Sequence, residues 1–523
     1  MDYRNSINEI DLTQSSNKWL EYHNLSKGRN EEIRTIDRDK SSTTKIWSII
    51  IILLSAIIFD TFFIGKNIGI SFFIYCLILL VCFYVTNKET IKLRKSAGWF
   101  LLIPSLLISF SYTLNNNITL RSMNILMLPI LFTSSFLLII YASLEWYKFR
   151  FVKDFFRRIL PLTIENMFKP FSFSKDVFAS KKEKKSLNKD IILGILITIP
   201  VLIVILLLLA SSDLVFNYYI TDWIPNLDLD FDFGHFLRIF IVFIATFGFM
   251  WSFNYPIQRL IVTKKEKTSV SSSIILVLLI SLNIVYLLFA IIQSSFLYTN
   301  GGKTLPAGIT YAQYARTGFF QLVLVTLINL SIIYFSTKYI WYKNEKAKKI
   351  SKILLSLIVL FTLNMLYASH FKLSLYENYY GFTYLRFYVH YTILTIFILL
   401  IISFVGIWSI KVSIAKLTLI SLLTMYTVIN FFNVDGFIAK RNIQRYMATA
   451  KIDMAYNISL SVDAFEEIYS LKDELDYYIS YNSKEYINRI IEELDTSTKW
   501  YEFNIKKNSI KEFLEDEGYT VEK

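Results

Sequence analysis

The sequence predicts an all-α, polytopic membrane protein of about eleven transmembrane helices with a small helical extracytoplasmic C-terminal domain. Three observations predict it. Long apolar stretches recur between Ile46 and Phe432. The loops between them alternate between lysine/arginine-rich and basic-poor. Finally, 54% hydrophobic residues, 17% aromatic residues and a mean hydropathy of +0.43 leave a 523-residue chain too little polar surface for a water-soluble fold, so a bilayer must be part of its solvent.

A helix needs about 20 apolar residues to cross ~30 Å of hydrocarbon. The stretches that meet this are, in order, Ile46–Ile64, Ile68–Val85, Ala97–Leu114, Met123–Leu144, Ile191–Ser211, Phe236–Phe253, Ser272–Leu297, Gly318–Ser336, Ile350–Ser369, Leu385–Trp408 and Ile414–Phe432. The third and fourth contain Pro104 and Pro129, which spans tolerate because neighbouring groups satisfy the freed backbone. The first 45 residues are hydrophilic and lack the early apolar run of a signal peptide, so Ile46–Ile64 is expected to remain as a span. Cys76 and Cys82 both fall in the second span, where they read as small apolar side chains rather than a disulfide framework or zinc pair.

The basic loops are Asn87–Ser96, Glu145–Lys189, Pro256–Ser269, Thr337–Lys349 and the short link with Lys411 and Lys416; those opposite are Gly65–Asn67, Asn115–Arg121, Ser212–His235, Tyr298–Thr317 and His370–Tyr384. The first set holds 27 Lys/Arg and the second 5. Under the positive-inside rule the N-terminus is then cytoplasmic and, after an odd number of spans, the C-terminus extracytoplasmic. The expected organisation is a polar cytoplasmic tail (1–45), four spans (46–144), a basic cytoplasmic interfacial loop (145–189), seven spans (190–433) and an external helical domain (434–523). The net charge of +13 hides a tail from Val434 onward with 12 Lys/Arg against 18 Asp/Glu. The positive charge therefore belongs to loops facing anionic lipid headgroups, and nucleic acid is not an expected partner.

Two loops have distinct patterns. Glu145–Arg158 (EWYKFRFVKDFFRR) interleaves aromatic and basic residues, as an interfacial segment does, although a plain topology anchor explains it more simply. Asp222–Asp232 (DWIPNLDLDFD) alternates Asp with apolar residues but lacks the glycine turn and spacing of a calcium loop. In the tail, Asn482 with Glu485 and Ser509 with Glu512 have capping-box spacing, and Gly518 fits a left-handed helix end. Ile487, Ile490, Ile491 and Leu494 form one helical stripe that reads as core.

Ionisable residues at membrane depth are functional candidates by default. Here they gather at the expected outer rim: Arg316 in YAQYARTGFF; Glu377; Arg386 and His390, which share one helical face in GFTYLRFYVH; and Asp435, Arg441 and Asn442 in NVDGFIAKRNIQRY. Asp60, His235 and His370 fall at the same expected depth. The simplest reading is a charge network that pins helix ends and the external domain. No carboxylate–histidine spacing points to a metal, and no cofactor is expected. Asn283, Asn329 and Asn364 read as interhelical hydrogen-bonding groups.

The segments YAQYARTGFFQL, YGFTYLRFY, NVDGFIAKRNIQRY and DMAYNISLSVDAFEEI, with a Trp500…Phe503-Asn504 echo, resemble the successive signatures of a family of uncharacterised bacterial multi-pass membrane proteins, a domain of unknown function. The resemblance runs from about Ile191 to the C-terminus. It implies a membrane-embedded domain with an external tail and carries no reaction.

Three functions compete. The first is a cell-envelope scaffold or sensor without catalytic activity, whose external domain meets an envelope protein or lipid. The second is a permease or lipid-handling transporter with an anion site at the outer face, though no Gly/Pro-broken pair of spans supports it. The third is a transferase for lipid-linked substrates with Asp60 as acid. No GxSxG, HExxH, GxxxxGK[ST] or GxGxxG motif occurs, so hydrolase, zinc-protease and nucleotide readings lack support.

Overall fold

A computed structural model describes residues 40–91, 96–142, 144–173, 233–256, 270–297, 319–341, 345–409, 413–495 and 499–519. Within them the regular structure is helical apart from a two-residue parallel pairing of Val270–Ser271 with Ile340–Trp341. The helices are α1 (Ser42–Phe63), α2 (Ile70–Asn87), α3 (Ala97–Phe110), α4 (Ile118–Ile140), α5 (Phe149–Arg157), α6 (Thr163–Asn166), α7 (Phe233–Ser252), α8 (Ser272–Leu297), α9 (Phe319–Tyr339) and α10 (Glu345–Tyr380). There follow α11 (Tyr384–Trp408), α12 (Ile414–Ile429), α13 (Val434–Thr449), α14 (Met454–Asn457), α15 (Phe465–Tyr469), α16 (Tyr477–Asp495) and α17 (Ile505–Asp516).

Ten of the eleven expected spans coincide with a helix; the fifth, Ile191–Ser211, lies outside the described residues, as does Asp222–Asp232. Among the described residues, seven helices are long and apolar enough to cross a membrane: α1, α2, α4, α7, α8, α10 and α11. An eighth span results if α12 and α13 count as one span bent by 67°, while α3 and α9 provide shorter apolar stretches. On α8, Ile274, Val277, Leu278, Ile284, Leu288 and Ile292 are all exposed. A row of exposed aliphatic side chains that long suits a hydrocarbon environment better than water.

The described residues separate into two compact units, Met1–Leu102 with Ile130–Arg259, and Ile103–Pro129 with Leu260–Lys523. In the first, α1 runs antiparallel to α2 and α7. Its N-cap Ser41 accepts from the Thr44 amide at 3.2 Å, and both hydroxyls donate to Glu89 just beyond α2. Asn87 at the end of α2 donates to the Met250 carbonyl near the end of α7 (3.2 Å). At the same end Phe83 stacks on Phe136 at 4.0 Å, with Phe253 edge-on to both. At the opposite end Asp60 of α1 meets Arg238 (2.9 Å) and His235 of α7. Gly98 of α3 admits the backbone of α4, since a Cβ there would lie 2.5 Å from the Ser135 carbonyl oxygen and 2.6 Å from the Ile139 nitrogen.

In the second unit, buried amides join the spans as expected. Tyr286 of α8 donates to Asn329 of α9 (2.6 Å), which donates to Thr362 of α10 (2.9 Å). Asn283 reaches the Leu354 carbonyl at 3.2 Å, and Asn364 reaches Gln293 at 3.3 Å. Beyond the corner at Asn430–Asn433, α13 to α17 enclose a core that includes Ile438, Leu460, Phe465, Ile468, Ile490 and Leu514. The stripe of Ile487, Ile490, Ile491 and Leu494 faces this core.

Both expected capping boxes are displaced. Helix α16 starts ahead of Asn482 because Asp476 accepts from the Tyr478 amide at 2.9 Å; Asn482 lies within the helix and bonds back to the Tyr478 carbonyl. Helix α17 is capped by Asn504, which accepts from Lys507 N at 3.1 Å, so Ser509 is internal and Glu512 instead accepts from Asn508. Gly518 does close α17 at φ +86°. Its amide bonds the Glu515 carbonyl and the Tyr519 amide bonds the Leu514 carbonyl, a Schellman ending.

Candidate functional site

The NVDG sequence makes a helix start. Asn433 caps α13 by accepting from the Gly436 amide at 2.8 Å, and Gly436 has no room for a Cβ, which would fall 2.5 Å from the Asn433 side-chain nitrogen. This fixes Asp435 in the first turn, fully buried. One carboxylate oxygen accepts from the Ser461 amide (3.0 Å) and the Tyr384 hydroxyl; the other accepts from Asn117 Nδ2 at 2.6 Å. Asn117 also accepts from Tyr388 Oη (3.0 Å) and from the Leu120 amide at the start of α4 (2.9 Å). Three chain segments thus converge on one carboxylate.

Two turns further along α13, Asn442 holds the connection between α10 and α11. Its Oδ1 accepts from the Phe382 amide (2.6 Å), and its Nδ2 donates to the Phe382 carbonyl (3.1 Å) and to Asn457 (3.2 Å). The contact requires Gly381, which has φ +80° and whose Cβ would strike Asn442 Oδ1. Arg445 completes the clamp by donating to the Asn378 and Tyr379 carbonyls, which the end of α10 leaves without helical partners.

A second carboxylate repeats the pattern. Asp463 accepts from the Asn116 amide (2.5 Å) and from its side chain (2.9 Å), while Arg121 fixes that loop through the Asn115 and Tyr112 carbonyls and Asn116 Oδ1. Asn504, the cap of α17, donates to the same Tyr112 carbonyl at 3.0 Å. Burial raises the Asp463 carboxyl above the usual aspartate range, outweighing the opposing Asn116 hydrogen bonds and the Arg121 charge. A carboxyl that holds its proton more tightly when folded contributes less stability as pH rises from about 4 through its own raised value. The melting temperature of wild type minus that of Asp463→Asn is therefore expected to fall across that interval and then level off. A flat or rising difference would refute the assignment.

The other candidates divide. Glu377 at the end of α10 is buried and pairs through one oxygen with His390 Nε2 at 2.8 Å; its second oxygen has no hydrogen-bond partner. His390 Nδ1 meets His370 Nδ1 at 3.1 Å. The Arg386 guanidinium donates to the Gly381 carbonyl and lies 4.3 Å from the centre of the Tyr376 ring. Arg441 lies over Phe437 (5.3 Å), on the flank of the α13 face that carries Asn442 and Arg445. Arg316, with most of its motif, lies outside the described residues. Asp60 and His235 belong to the first unit. Among the described residues, no three His, Cys, Asp or Glu side chains are placed to hold a metal ion.

Sequence reasoning thus named Asp435 and Asn442 but not Asn116, Asn117, Arg121, Asp463 or Arg445, which complete their network. The available signal was three consecutive asparagines, Asn115 to Asn117, followed by Arg121 in an otherwise basic-poor loop.

The fold and this network define a helical membrane protein whose polar residues tie the ends of α10, α11 and α4 to α13 and the helices after it. A family model for a domain of unknown function, DUF4153, matches residues 102–471, and the chain belongs to that family. The match begins well before Ile191, where the resemblance in the motifs starts, and so includes the loop of Asn116, Asn117 and Arg121; it ends before the Trp500…Asn504 echo. No curated protein and no solved structure matches the chain.

Proposed function

We propose that this is a multi-pass cell-envelope scaffold or sensor without catalytic activity, in the cell membrane, with the N-terminus cytoplasmic and α13 to α17 outside to meet an envelope protein or lipid. One observation carries the reading: Asp435, Asn442 and Asp463, the polar residues most like a site, are buried and occupied in fastening those helices to the ends of α10, α11 and α4. The anion-site reading has less support, because Arg386 and Arg441 each lie against an aromatic ring. An Asp60 acid is likewise disfavoured by its pairing with Arg238 and His235.

Two measurements test the reading. Leu475 is 99% exposed, so Leu475→Cys should react with a membrane-impermeant thiol reagent on intact cells, while native Cys76 and Cys82 are buried. Reaction only after lysis would overturn the external placement. Arg441→Ala should leave both abundance and cellular function intact, with a stability change within about 0.5 kcal/mol. Lost function at unchanged abundance would favour the anion site.

A further inference from the structure

The first unit carries a surface that the fastening network does not use. Along α5, the π-helical turn Arg158–Leu162, α6 and the turn that follows it, the residues Val152, Phe156, Leu160, Ile164 and Phe168 recur every fourth position. All five are exposed, the last four by 57% to 63%. The register survives Pro161, which has no amide to donate, because the π-turn absorbs it and the Thr163 hydroxyl bonds the Arg158 carbonyl at 2.6 Å.

The opposite face is fixed in place. Phe155, Arg158, Leu162 and Asn166 are buried. Arg158 donates to the carbonyls of Ser252 and Tyr255, the latter at 2.8 Å, and its guanidinium lies 5.1 Å from the Tyr141 ring centre. Asn166 accepts from the Tyr255 hydroxyl at 2.7 Å. Thr163 and Met167 cross α7 at Gly248, where a Cβ would collide with the Thr163 carbonyl. The contacts from Gly248 to Tyr255 put the segment at the C-terminal end of a candidate span, the level at which hydrocarbon gives way to headgroups. Of the six Lys/Arg between Lys148 and Lys169, Arg158 is buried, Arg157 bonds the Pro256 carbonyl and Lys169 bonds the Tyr255 hydroxyl, which leaves Lys148, Arg150 and Lys153 as the exposed cations. Among the exposed cations, Lys148 pairs with Glu145, Arg150 lies 4.0 Å from Asp154, and Lys153 stands beside Val152.

We propose that the segment from Lys148 to Phe168 is an interfacial anchor for an anionic phospholipid leaflet, with its apolar stripe among the acyl chains and its exposed Lys148, Arg150 and Lys153 toward the phosphates. The charge excess selects this occupant: a neutral apolar partner would have no use for the cations, whereas an anionic leaflet attracts them and admits the stripe together. The interfacial role is independent of what the helices after the last span bind.

The test uses the full-length chain with Cys76 and Cys82 replaced by alanine and a nitroxide attached at Ile164→Cys. It is reconstituted into phosphatidylcholine vesicles with or without phosphatidylglycerol, its melting temperature confirming the fold. Collision rates with oxygen, which concentrates in lipid, and with a water-soluble nickel chelate report where the label lies. The oxygen-to-nickel ratio is expected to be severalfold higher in the anionic vesicles, and Arg150→Gln/Lys153→Gln in the same background should lower it toward the neutral-lipid value. Equal ratios in the two vesicles would overturn the anionic requirement. Nickel access in both would place the stripe in water, and shielding from both probes would show a protein covering it; either result refutes the anchor.

Discussion

Asp435→Ala is expected to lower the stability of the detergent-purified protein by about 3–4 kcal/mol, because it strips a buried common acceptor from three donors at once, one of them fully buried and two half-buried. Those donors are Asn117 Nδ2, the Tyr384 hydroxyl and the Ser461 amide, contributed by three separate stretches of chain. Asp435→Asn keeps the shape and one acceptor oxygen, so its loss should be smaller. Against a typical total of ~5–15 kcal/mol, the alanine variant should show a clearly lowered melting temperature and reduced abundance in cells. An unchanged midpoint would mean that the carboxylate does not hold these segments together.

Phe465→Ala should cost about 3–5 kcal/mol through lost transfer free energy and the cavity left behind. Phe465 is fully buried where α13, α16 and α17 meet, with ring contacts to Tyr469 at 5.4 Å and Phe513 at 6.1 Å. Phe465→Leu fills most of that space and should lose much less. The readout is limited proteolysis of purified protein: the alanine variant should be cut within α14 to α17 at protease concentrations that wild type resists. Equal resistance would show that these helices do not share one core.

Seven of the expected spans were legible because lipid imposes a length and an apolarity that few other structures demand, and Ser272–Leu297 matches the observed α8 at both ends. The stripe ending at Leu494 was legible for a similar reason, since burial repeats with the helical period. Caps were not. Capping-box spacing pointed to Asn482 and Ser509, whereas the helices start at Asp476 and Asn504, where the residues three positions on, Ile479 and Lys507, carry no such signal. The rim was half legible. A charge at membrane depth marks Asp435, but its partners are neutral asparagines and tyrosines that look unremarkable in sequence and lie as many as 318 positions away. Arg441 and Arg445 could be told apart only by which face of α13 meets the last turn of α10.

The corner between α12 and α13 has a mechanical consequence. Only Asn430 to Asn433 separate the two helices, a tether of roughly 13–14 Å even fully stretched. Asn433 is engaged twice, capping α13 and donating to the Asp463 carbonyl at 2.9 Å, while Asn430 bonds to Asn124 and Tyr426. With both ends of the tether tied down, no slack remains. A tilt or pull on α13 would therefore be delivered to α12 as leverage about a stiff elbow rather than lost in a loose hinge.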